Sequence, residues 1–467
     1  MVALQDVIRP GTRRGLDFVV LEELRKRTGI MPNEVLKFAL AEMLCNALDT
    51  DSSIIEVDVN VEKDFTRLQV RDNGSKRLTL EDVKLILDFE NKASSKRGFL
   101  RVSRGYLGNA LKCIFGYCYA LAIEKGLSPP EILIESGPNR YTINLKVDRI
   151  NEAIDSDVQV SNCGDIAGNT FTVKIPTVES EFRKTQILRD IVFATSMVNP
   201  TRLIRYFYYD ATNGFYEKPS FGSSENSSPI RQETNVLWYT KKEFDSLFKD
   251  FLRVKPDTKL SEFMALFRGF TGKKVIREIL QKLNASNHDS ETTSSVQFFP
   301  ATPMSELALN MVASLYKILK DMSKSISKRS IPSVLGYVGE KQLEAFRDRQ
   351  KWKRLRYTMI PAFRIQCSKS FMCYTRDCGK CKEDHEEIPY LIELAVFDRD
   401  ESDTEGLKVY QCVNFMASME DIFSRIFDVK YRLGLVGIKA DMPVTVMLHL
   451  VCPVLKWLNY GKSGLDE

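Results

Sequence analysis

The sequence predicts an α+β fold, in which helices cover one face of an antiparallel sheet. Apolar residues between 35 and 47 fall on one helical stripe. Residues 54–60 and 67–72 alternate between apolar and polar side chains, as the strands of a hairpin do. An apolar helix is predicted at 109–121, and the strands predicted after it lie at 132–135, 141–147 and 170–175. This order of elements is typical of helices packed on a sheet in two layers.

The length of 467 residues predicts two or three domains, because a single hydrophobic core rarely organises that much chain. Proline, glycine and serine are concentrated at 219–228, and we place a boundary there. Short helices and a polar loop at 284–295 are predicted next. A long helix at 303–327 and a second α+β segment from 356 follow. The predicted units are 1–222, 223–300 and 301–467.

Composition is ordinary for a globular protein, with 43% hydrophobic and 28% charged residues. No apolar run reaches the roughly 18 residues that a membrane helix needs. The first residues lack the basic and apolar segments of a signal peptide, so we expect a cytoplasmic chain without membrane contact. The net charge of +5 permits contact with nucleic acid without predicting it. A basic run at 351–356 is interpreted as a solvated helix face, and contact with a phosphate backbone is the alternative.

Three polar residues share one face of the first strong helix. Glu42, Asn46 and Asp49 stand at positions i, i+4 and i+7. The amide oxygen of Asn46 is a hard donor of the kind that Mg²⁺ prefers. The carboxylate of Glu42 can orient and deprotonate a water beside a phosphate. The pattern fits a magnesium–nucleotide site, and by itself it also fits a solvated polar stripe.

Asp72, Asn73 and Gly74 end the second strand of the predicted hairpin. The carboxylate of Asp72 can accept a hydrogen bond from the exocyclic amine of adenine. Gly74 lets the backbone approach a base closely, because it has no side chain. The alternative for this segment alone is an ordinary Asn-Gly turn.

A glycine-containing loop leads into the second apolar helix. Its glycines are Gly105 and Gly108. Arg104 precedes them, and Lys112 lies in the first turn of the helix. Backbone N–H groups at a helix start bind phosphate oxygens, helped by the helix dipole. Taken alone, this segment could be an ordinary helix start without a ligand. It is much less probable that the polar helix face, the turn at 72–74 and the glycine-containing loop occur in this order by chance.

These segments resemble the motifs of the GHKL ATPases, a class that includes type II topoisomerases, mismatch-repair ATPases, the large heat-shock chaperone and sensor kinases. The polar helix face resembles their ExxxNxxD motif, and residues 72–74 resemble their DxGxG motif. Gly105 and Gly108 resemble the glycines of their phosphate loop. The resemblance implies an α/β-sandwich domain that binds ATP and Mg²⁺.

Within that class, the chain resembles the family of the topoisomerase VI B subunit. The similarity covers pieces between 86 and 112 and shorter pieces at 198–200, 238–240, 243–244, 389–393 and 449–463. It implies that a small helical insert, like a helix–two-turn–helix, and a transducer-like α+β domain follow the ATPase domain. It also implies an ATP-dependent homodimer that acts on DNA with a separate DNA-cleaving A subunit.

The resemblance further implies roles for single residues. Glu42 would be the general base and Asn46 the Mg²⁺ ligand. Asp72 would recognise adenine, with Thr170 supporting it through a water. Lys462 would reach the terminal phosphate and stabilise charge that develops in phosphoryl transfer, or else be a solvated lysine. The other nucleotide-binding residues would be Asp49, Gly74, Arg104, Gly105, Gly108, Asn109 and Lys112.

Two positions depart from the class pattern. Lys76 stands where DxGxG has its second glycine, and Ala110 stands where the phosphate loop has its third. These departures favour a scaffold that binds ATP without hydrolysing it, whereas the intact Glu42 favours an ATPase. A GHKL kinase is a third hypothesis, but none of the three histidines lies in an evident phosphoacceptor helix.

A cysteine-rich segment lies at 367–385. Candidate ligands for a structural, tetrahedral Zn²⁺ are Cys373, Cys378, Cys381 and His385. Their spacing matches no established zinc motif, so a loop of free thiols remains the alternative, and a redox role is a third. If zinc binds, we expect it to stabilise a loop rather than to act in catalysis.

Overall fold

The structure is a computed structural model that describes residues 15–89, 99–102, 109–148, 153–177, 182–211, 213–224, 234–288, 297–367, 385–419, 421–422 and 428–455. These residues form two β-sheets with helices packed against them, which confirms the predicted α+β fold. In the described ranges, every helix is too short or too polar to cross a membrane.

Helices and strands are interspersed along the chain. The helices are α1 (Leu21–Thr28), α2 (Val35–Leu48), α3 (Leu80–Ile86), α4 (Ala110–Glu124), α5 (Phe182–Met197), α6 (Lys241–Val254), α7 (Leu260–Met264), α8 (Lys273–His288), α9 (Leu309–Met322), α10 (Ile331–Leu335), α11 (Glu340–Gln350) and α12 (Val429–Leu435). The strands are β1 (Ile54–Val61), β2 (Phe65–Asp72), β3 (Ile132–Ser136), β4 (Asn139–Asp148), β5 (Ala153–Asn162), β6 (Asn169–Pro176), β7 (Leu203–Asp210), β8 (Phe215–Glu217), β9 (Ser220–Phe221), β10 (Arg354–Cys367), β11 (His385–Asp398), β12 (Lys408–Val413), β13 (Met416–Ala417) and β14 (Val444–Val451).

The larger sheet has the strand order β5-β4-β3-β6-β2-β1-β7-β8, with β9 beside β7. Every second residue of β2 is buried, and α2 packs on this strand. Successive strand residues point to opposite faces, so Leu68 and Val70 share the buried face with Asp72. The alternation that forms the core therefore also turns the Asp72 carboxylate inward.

One pairing in this sheet differs from the predicted antiparallel arrangement. β1 and β7 pair in parallel, with Ile55 opposite Ile204. A parallel neighbour requires a long crossover connection, and here the connection includes most of the first unit. The local alternation of apolar residues does not encode such a distant partner.

Several predicted helix boundaries were wrong. The helix predicted from residue 16 begins as a short 3-10 turn at Gly15–Phe18, and α1 starts only at Leu21. Its predicted end is correct, since Gly29 caps α1 in the left-handed conformation. The segment predicted as a loop from residue 284 continues α8 as far as His288. The helix predicted at 303–327 is confined to α9.

The basic run at 351–356 is not a helix face. Lys351 has a φ of 57° and ends α11 in the left-handed conformation. β10 begins at Arg354 and pairs with β11 along its whole length. The backbone hydrogen bonds to a distant strand thus determine the secondary structure of this segment, and its charges alone did not predict a strand.

The smaller sheet has the order β10-β11-β14-β12-β13. It packs on α5, where Tyr410 donates a hydrogen bond to Asp190 Oδ1 at 3.1 Å. The ring of Phe193 contacts those of Tyr410 and Trp352 at centroid distances of 5.4 and 5.9 Å. α5 also packs on β7 of the larger sheet. One hydrophobic core consequently runs through both sheets.

The helical insert packs around a cluster of aromatic rings. Phe244 contacts Phe267, Tyr239 and Tyr316 at centroid distances between 5.2 and 6.4 Å, and Tyr316 donates a hydrogen bond to the Tyr239 carbonyl at 2.7 Å. α9 packs against both α6 and α8. We therefore propose that the insert extends through α9, beyond the predicted boundary at residue 300.

A close contact between α4 and the 3-10 turn at Gly15–Phe18 allows the packing of the first helices to be tested. A β-carbon at Gly116 would lie 1.7 Å from the Phe18 carbonyl oxygen. We expect Gly116→Ala to lower the free energy of unfolding by about 1–3 kcal/mol, because the backbone must shift. Gly434→Ala, in α12 with nothing within 4 Å of the added carbon, should be neutral or stabilise by up to about 1 kcal/mol. Denaturant unfolding measures both, and equal effects would contradict the described contact.

Candidate functional site

Asp72 ends β2 with its carboxylate buried and held by three neighbours. Its side chain is 5% exposed. Oδ1 accepts a hydrogen bond from Gly74 N at 2.8 Å and lies 3.5 Å from Thr50 Oγ1, while Oδ2 accepts from Asn169 Nδ2 at 3.4 Å. Burial raises the pKa of Asp72 above its ordinary value, although these hydrogen bonds oppose the shift. A carboxylate has more lone pairs than these donors use, so it can accept a further hydrogen bond.

Two glycines bring the backbone against Asp72. A β-carbon at Gly74 would lie 2.8 Å from Thr50 Oγ1 and 2.9 Å from Asp72 Oδ1. Gly168 has a φ of +71°, and a β-carbon there would lie 1.8 Å from the Asp72 carbonyl oxygen. Gly74 was predicted from its motif, but Gly168 was not. The one feature of the sequence that could have indicated Gly168 is its position directly before a strand.

β6 supplies further residues beside Asp72. Thr170 is 2% exposed and pairs with Arg71 in the ladder between β2 and β6. Asn169, which sequence analysis missed, also donates to the Lys76 carbonyl at 3.0 Å. Its Oδ1 accepts from Ser136 Oγ at 2.8 Å. This network ties the turn after β2 to β3 and β6.

The polar face of α2 runs from the core towards the protein surface. Glu42 is 6% exposed, whereas Asn46 and Asp49 are half-buried. Burying a carboxylate is costly, so Glu42 does not belong to the solvated polar stripe that the spacing of these residues also fits. The three residues present two carboxylates and an amide along one line.

A half-buried cation lies beside the outer end of this face. Burial lowers the pKa of Arg101, and the nearby charge of Asp49 partly offsets the shift. Two residues of the helical insert hold the adjacent Leu100: its N–H donates to Tyr239 Oη at 2.7 Å, and its carbonyl accepts from Thr234 Oγ1 at 2.6 Å. Arg101 was not predicted, since it is one of several basic residues in its segment.

The start of α4 carries an unsatisfied buried amide. Asn109 precedes the helix as its N-cap and is 2% exposed. Among the described residues, neither its Nδ2 nor its Oδ1 has a hydrogen-bond partner. Leaving such a group unpaired costs roughly 1–3 kcal/mol, which a ligand that supplies donors and acceptors would offset.

Lys112 and Cys113 connect α4 to the polar face of α2. Lys112 is 1% exposed, and its Nζ donates to the Asp88 carbonyl oxygen. Burial raises the pKa of the Cys113 thiol to about 12, and the charges of Glu42 and Lys112 both act on it. These two charged groups therefore lie around the same thiol, with α2 packed on α4.

Arg202 caps the C-terminus of α2 and was missed by sequence analysis. It is 4% exposed, and its guanidinium donates to the Leu48 carbonyl at 2.8 Å and to the Thr50 carbonyl at 3.1 Å. A cation at this end complements the helix dipole. Arg202 thereby holds Thr50, which lies against Asp72.

Some predicted site residues lie outside the described residues, namely Arg104, Gly105, Gly108, Lys462, Cys373, Cys378 and Cys381. The backbone of His385 is described and pairs with that of Cys367 between β10 and β11. Among the residues that the structure describes, no group of three or more His, Cys, Asp or Glu could hold a metal ion. Zinc binding by the cysteine segment stays a prediction.

The described side chains offer three chemical capacities in one region. The Asp72 turn can accept a hydrogen bond from an amine. The outer α2 face carries the hard oxygen donors that suit Mg²⁺. The start of α4 carries the Asn109 amide, which no described group satisfies, at a helix end that favours anions.

No protein-family model and no curated protein matches the chain. Among solved structures, the N-terminal domain of a DNA repair protein is similar at a TM-score of 0.39 and 9% identity, over 92% of this chain and 87% of that one. The B subunit of DNA gyrase from Myxococcus xanthus is similar at 0.36 and 9%, over 96% and 90%. The ATPase region of topoisomerase II from Saccharomyces cerevisiae is similar at 0.36 and 11%, over 92% and 76%.

The contact between Gly168 and Asp72 can be tested with a matched pair of variants. Gly164 and Gly168 both have positive φ, but a β-carbon at Gly164 would meet nothing within 4 Å. We expect Gly164→Ala to cost about 1–2 kcal/mol through backbone strain. Gly168→Ala should cost clearly more, because its added carbon also collides with the Asp72 carbonyl. Equal losses in denaturant unfolding would show that residue 168 does not press on Asp72.

Proposed function

We propose that the chain binds Mg²⁺–ATP between α2, the turn after β2 and the start of α4, and that it hydrolyses the nucleotide. The observation that carries this proposal is the buried Asn109 amide, which finds no partner in the described part of the chain and starts a helix packed on the one that bears the buried Glu42. A buried polar group of this kind calls for an explanation, and a bound ligand at the start of α4 would supply one. The motif resemblance to GHKL ATPases supports the same reading.

Adenine recognition falls to Asp72. Its carboxylate is fixed by Gly74 and Asn169, so its remaining lone pairs point in a defined direction. The exocyclic amine of adenine can donate a hydrogen bond to this carboxylate, whereas the carbonyl group at the same position of guanine can only accept one. This selects adenine over guanine, because a site that hydrogen-bonds one group rejects the base that lacks it.

The metal and the phosphates fit the outer part of the region. Asn46 supplies an amide oxygen and Asp49 a half-buried carboxylate, and both are donors that suit Mg²⁺. A bound Mg²⁺ would neutralise phosphate charge. Asn109 at the start of α4 would pair with phosphate oxygens, and Arg101 beside Asp49 would add positive charge to the same side.

Glu42 is the group that would activate water. It is the buried member of its helix face, so its carboxylate is shielded from bulk solvent. A general base must lie within hydrogen-bond reach of the proton that it removes, and the helix holds Glu42 one turn from Asn46. Water attack on the terminal phosphate, with its proton passing to Glu42, would release ADP and phosphate.

The remaining parts of the proposal derive from the topoisomerase VI resemblance. We propose that ATP closes two protomers into a clamp and that hydrolysis reopens it. DNA would be the substrate, and a separate A-type subunit would cleave it. Lys462 would reach the terminal phosphate from the transducer-like domain.

A scaffold that binds ATP without hydrolysis is the second candidate. Lys76 replaces a glycine after the Asp72 turn, and its carbonyl accepts a hydrogen bond from Asn169. Ala110 is the first residue of α4, where the class has glycine. Both substitutions stiffen the backbone around the pocket, which favours retention of the nucleotide over its turnover.

Removing the Glu42 carboxylate separates the two candidates. We expect Glu42→Gln to bind ATP as the wild type does but to hydrolyse it at least about 100-fold more slowly, because general-base catalysis contributes roughly that much. Glu124→Gln changes an exposed glutamate at the end of α4 and should leave the rate unchanged. Steady-state phosphate release and equilibrium binding give the two readouts. Equal hydrolysis by wild type and Glu42→Gln would overturn the general base, and binding without turnover by the wild type would favour the scaffold.

Protonation of Asp72 should erode the preference for adenine. Its pKa is raised by burial above the ordinary 3.8, so the carboxyl takes up its proton at a higher pH than a free aspartate. The protonated group can donate to the carbonyl of guanine, and it loses acceptor capacity for the amine of adenine. We expect the ratio of ATP to GTP affinity to fall as pH decreases through this pKa.

The ratio cancels the titration of the phosphates, which both nucleotides share. Fluorescence anisotropy at a series of pH values measures it. Asp72→Asn should show a low ratio that does not vary with pH. A wild-type ratio that stays constant down to the ordinary aspartate pKa would contradict the assignment of Asp72 to the base.

A further inference from the structure

Three polar residues from distant parts of the chain share a single hydrogen-bond network. These residues are Asn199, Glu393 and His449. Asn199 follows α5, Glu393 lies in β11 and His449 lies in β14.

The network is centred on a buried carboxylate. Glu393 and His449 are both 0% exposed, and His449 Nδ1 lies 2.8 Å from Glu393 Oε2. Glu393 also accepts hydrogen bonds from Val338 N at 3.0 Å, Gly339 N at 2.9 Å and Tyr357 Oη at 2.7 Å. Burial alone would raise the pKa of Glu393, but the hydrogen bonds from His449 and the two backbone groups hold it below its ordinary value. An ionised carboxylate with this many donors is fixed in position.

His449 connects the fixed Glu393 carboxylate to the turn at residues 414–415, where the backbone φ angles are positive. Its Nε2 accepts a hydrogen bond from Phe415 N at 3.0 Å, so Nδ1 carries the proton that Glu393 accepts. Asn414 and Phe415 have φ values of 49° and 65°, although neither is glycine. Paired bonds between the Asn414 side chain and the Cys452 backbone, both 2.9 Å, help to hold the turn. Such backbone strain persists only where the surroundings over-determine it.

The turn at 414–415 is linked to the adenine side of the nucleotide site. Asn199 Nδ2 donates to the Phe415 carbonyl at 2.8 Å. The Arg202 N–H donates to the Asn199 carbonyl at 3.0 Å, and its guanidinium holds the Thr50 carbonyl. Thr50 Oγ1 lies 3.5 Å from Asp72 Oδ1. The connection from the buried Glu393 to the Asp72 carboxylate is thus continuous.

We propose that Asn199 and Arg202 are positioning residues that couple nucleotide occupancy to the turn at 414–415 and the Glu393–His449 pair. The inference rests on the proposed ATP site. Nucleotide contact with Asp72 favours one position of Thr50, and Arg202 carries that preference to Asn199. The turn is held from one side by His449 and from the other by Asn199, so loss of one hold would let it shift. By linkage, the intact network favours the nucleotide-bound geometry as much as the nucleotide favours the network.

The test compares two contacts that both join α5 to the smaller sheet. Asn199→Ala removes the bond to Phe415. Tyr410→Phe removes the bond to Asp190 and lies off the proposed connection, so it is the matched control. We expect Asn199→Ala to weaken binding of a non-hydrolysable ATP analogue by about fivefold or more, and Tyr410→Phe to leave binding unchanged.

A double-mutant cycle separates coupling from a general loss of stability. Asn199→Ala combined with Glu393→Gln should weaken binding no more than the stronger single variant, since both interrupt one connection. Binding is measured where circular dichroism shows every variant to be folded. Additive losses, or unchanged binding in Asn199→Ala, would overturn the coupling.

Hydrogen exchange on the wild type tests the inference without a variant. The Phe415 amide, which donates to His449, should exchange more slowly when the analogue is bound. Unchanged exchange at Phe415 with a saturated site would overturn the coupling while leaving the proposed function intact. A wild type that binds no nucleotide would overturn both.

Discussion

Burial of the Asp72 carboxylate is the constraint on which the first sheet and its site depend. The side chain is inward because β2 alternates, and an inward carboxylate must be satisfied by hydrogen bonds. The turn at Gly74, the Asn169 side chain and the close approach of Gly168 all meet this requirement. The same groups that make the burial tolerable also fix the direction in which a ligand can be recognised.

The parts of this site that the sequence could predict are those carried by one local segment. Helical spacing alone placed Glu42, Asn46 and Asp49 on one face of α2, and strand alternation placed Asp72 at a strand end. Supporting residues such as Asn169 and Arg202 come from segments that are distant along the chain. Asparagine and arginine are common residue types, and their positions follow no helical or strand periodicity. Only the tertiary fold therefore shows which groups these side chains contact.

The details of the fold that were not predicted were missed for a similar reason. The helix α5 was not predicted, and nothing local in the sequence shows that Tyr410 of β12 reaches Asp190 of α5. The basic residues at 351–356 have no strand pattern, and pairing with β11 nevertheless makes a strand from Arg354 onward. Partners that lie far away in sequence supply the free energy that overrides local propensity.

The helix α5 packs between the two sheets, with the larger sheet on one side and the smaller sheet on the other. A fragment ending near residue 222 would keep this helix but lose what covers Phe193 and Thr195, and it would leave an apolar surface open to water. Dissecting the protein at its sequence boundaries would therefore yield pieces prone to self-association.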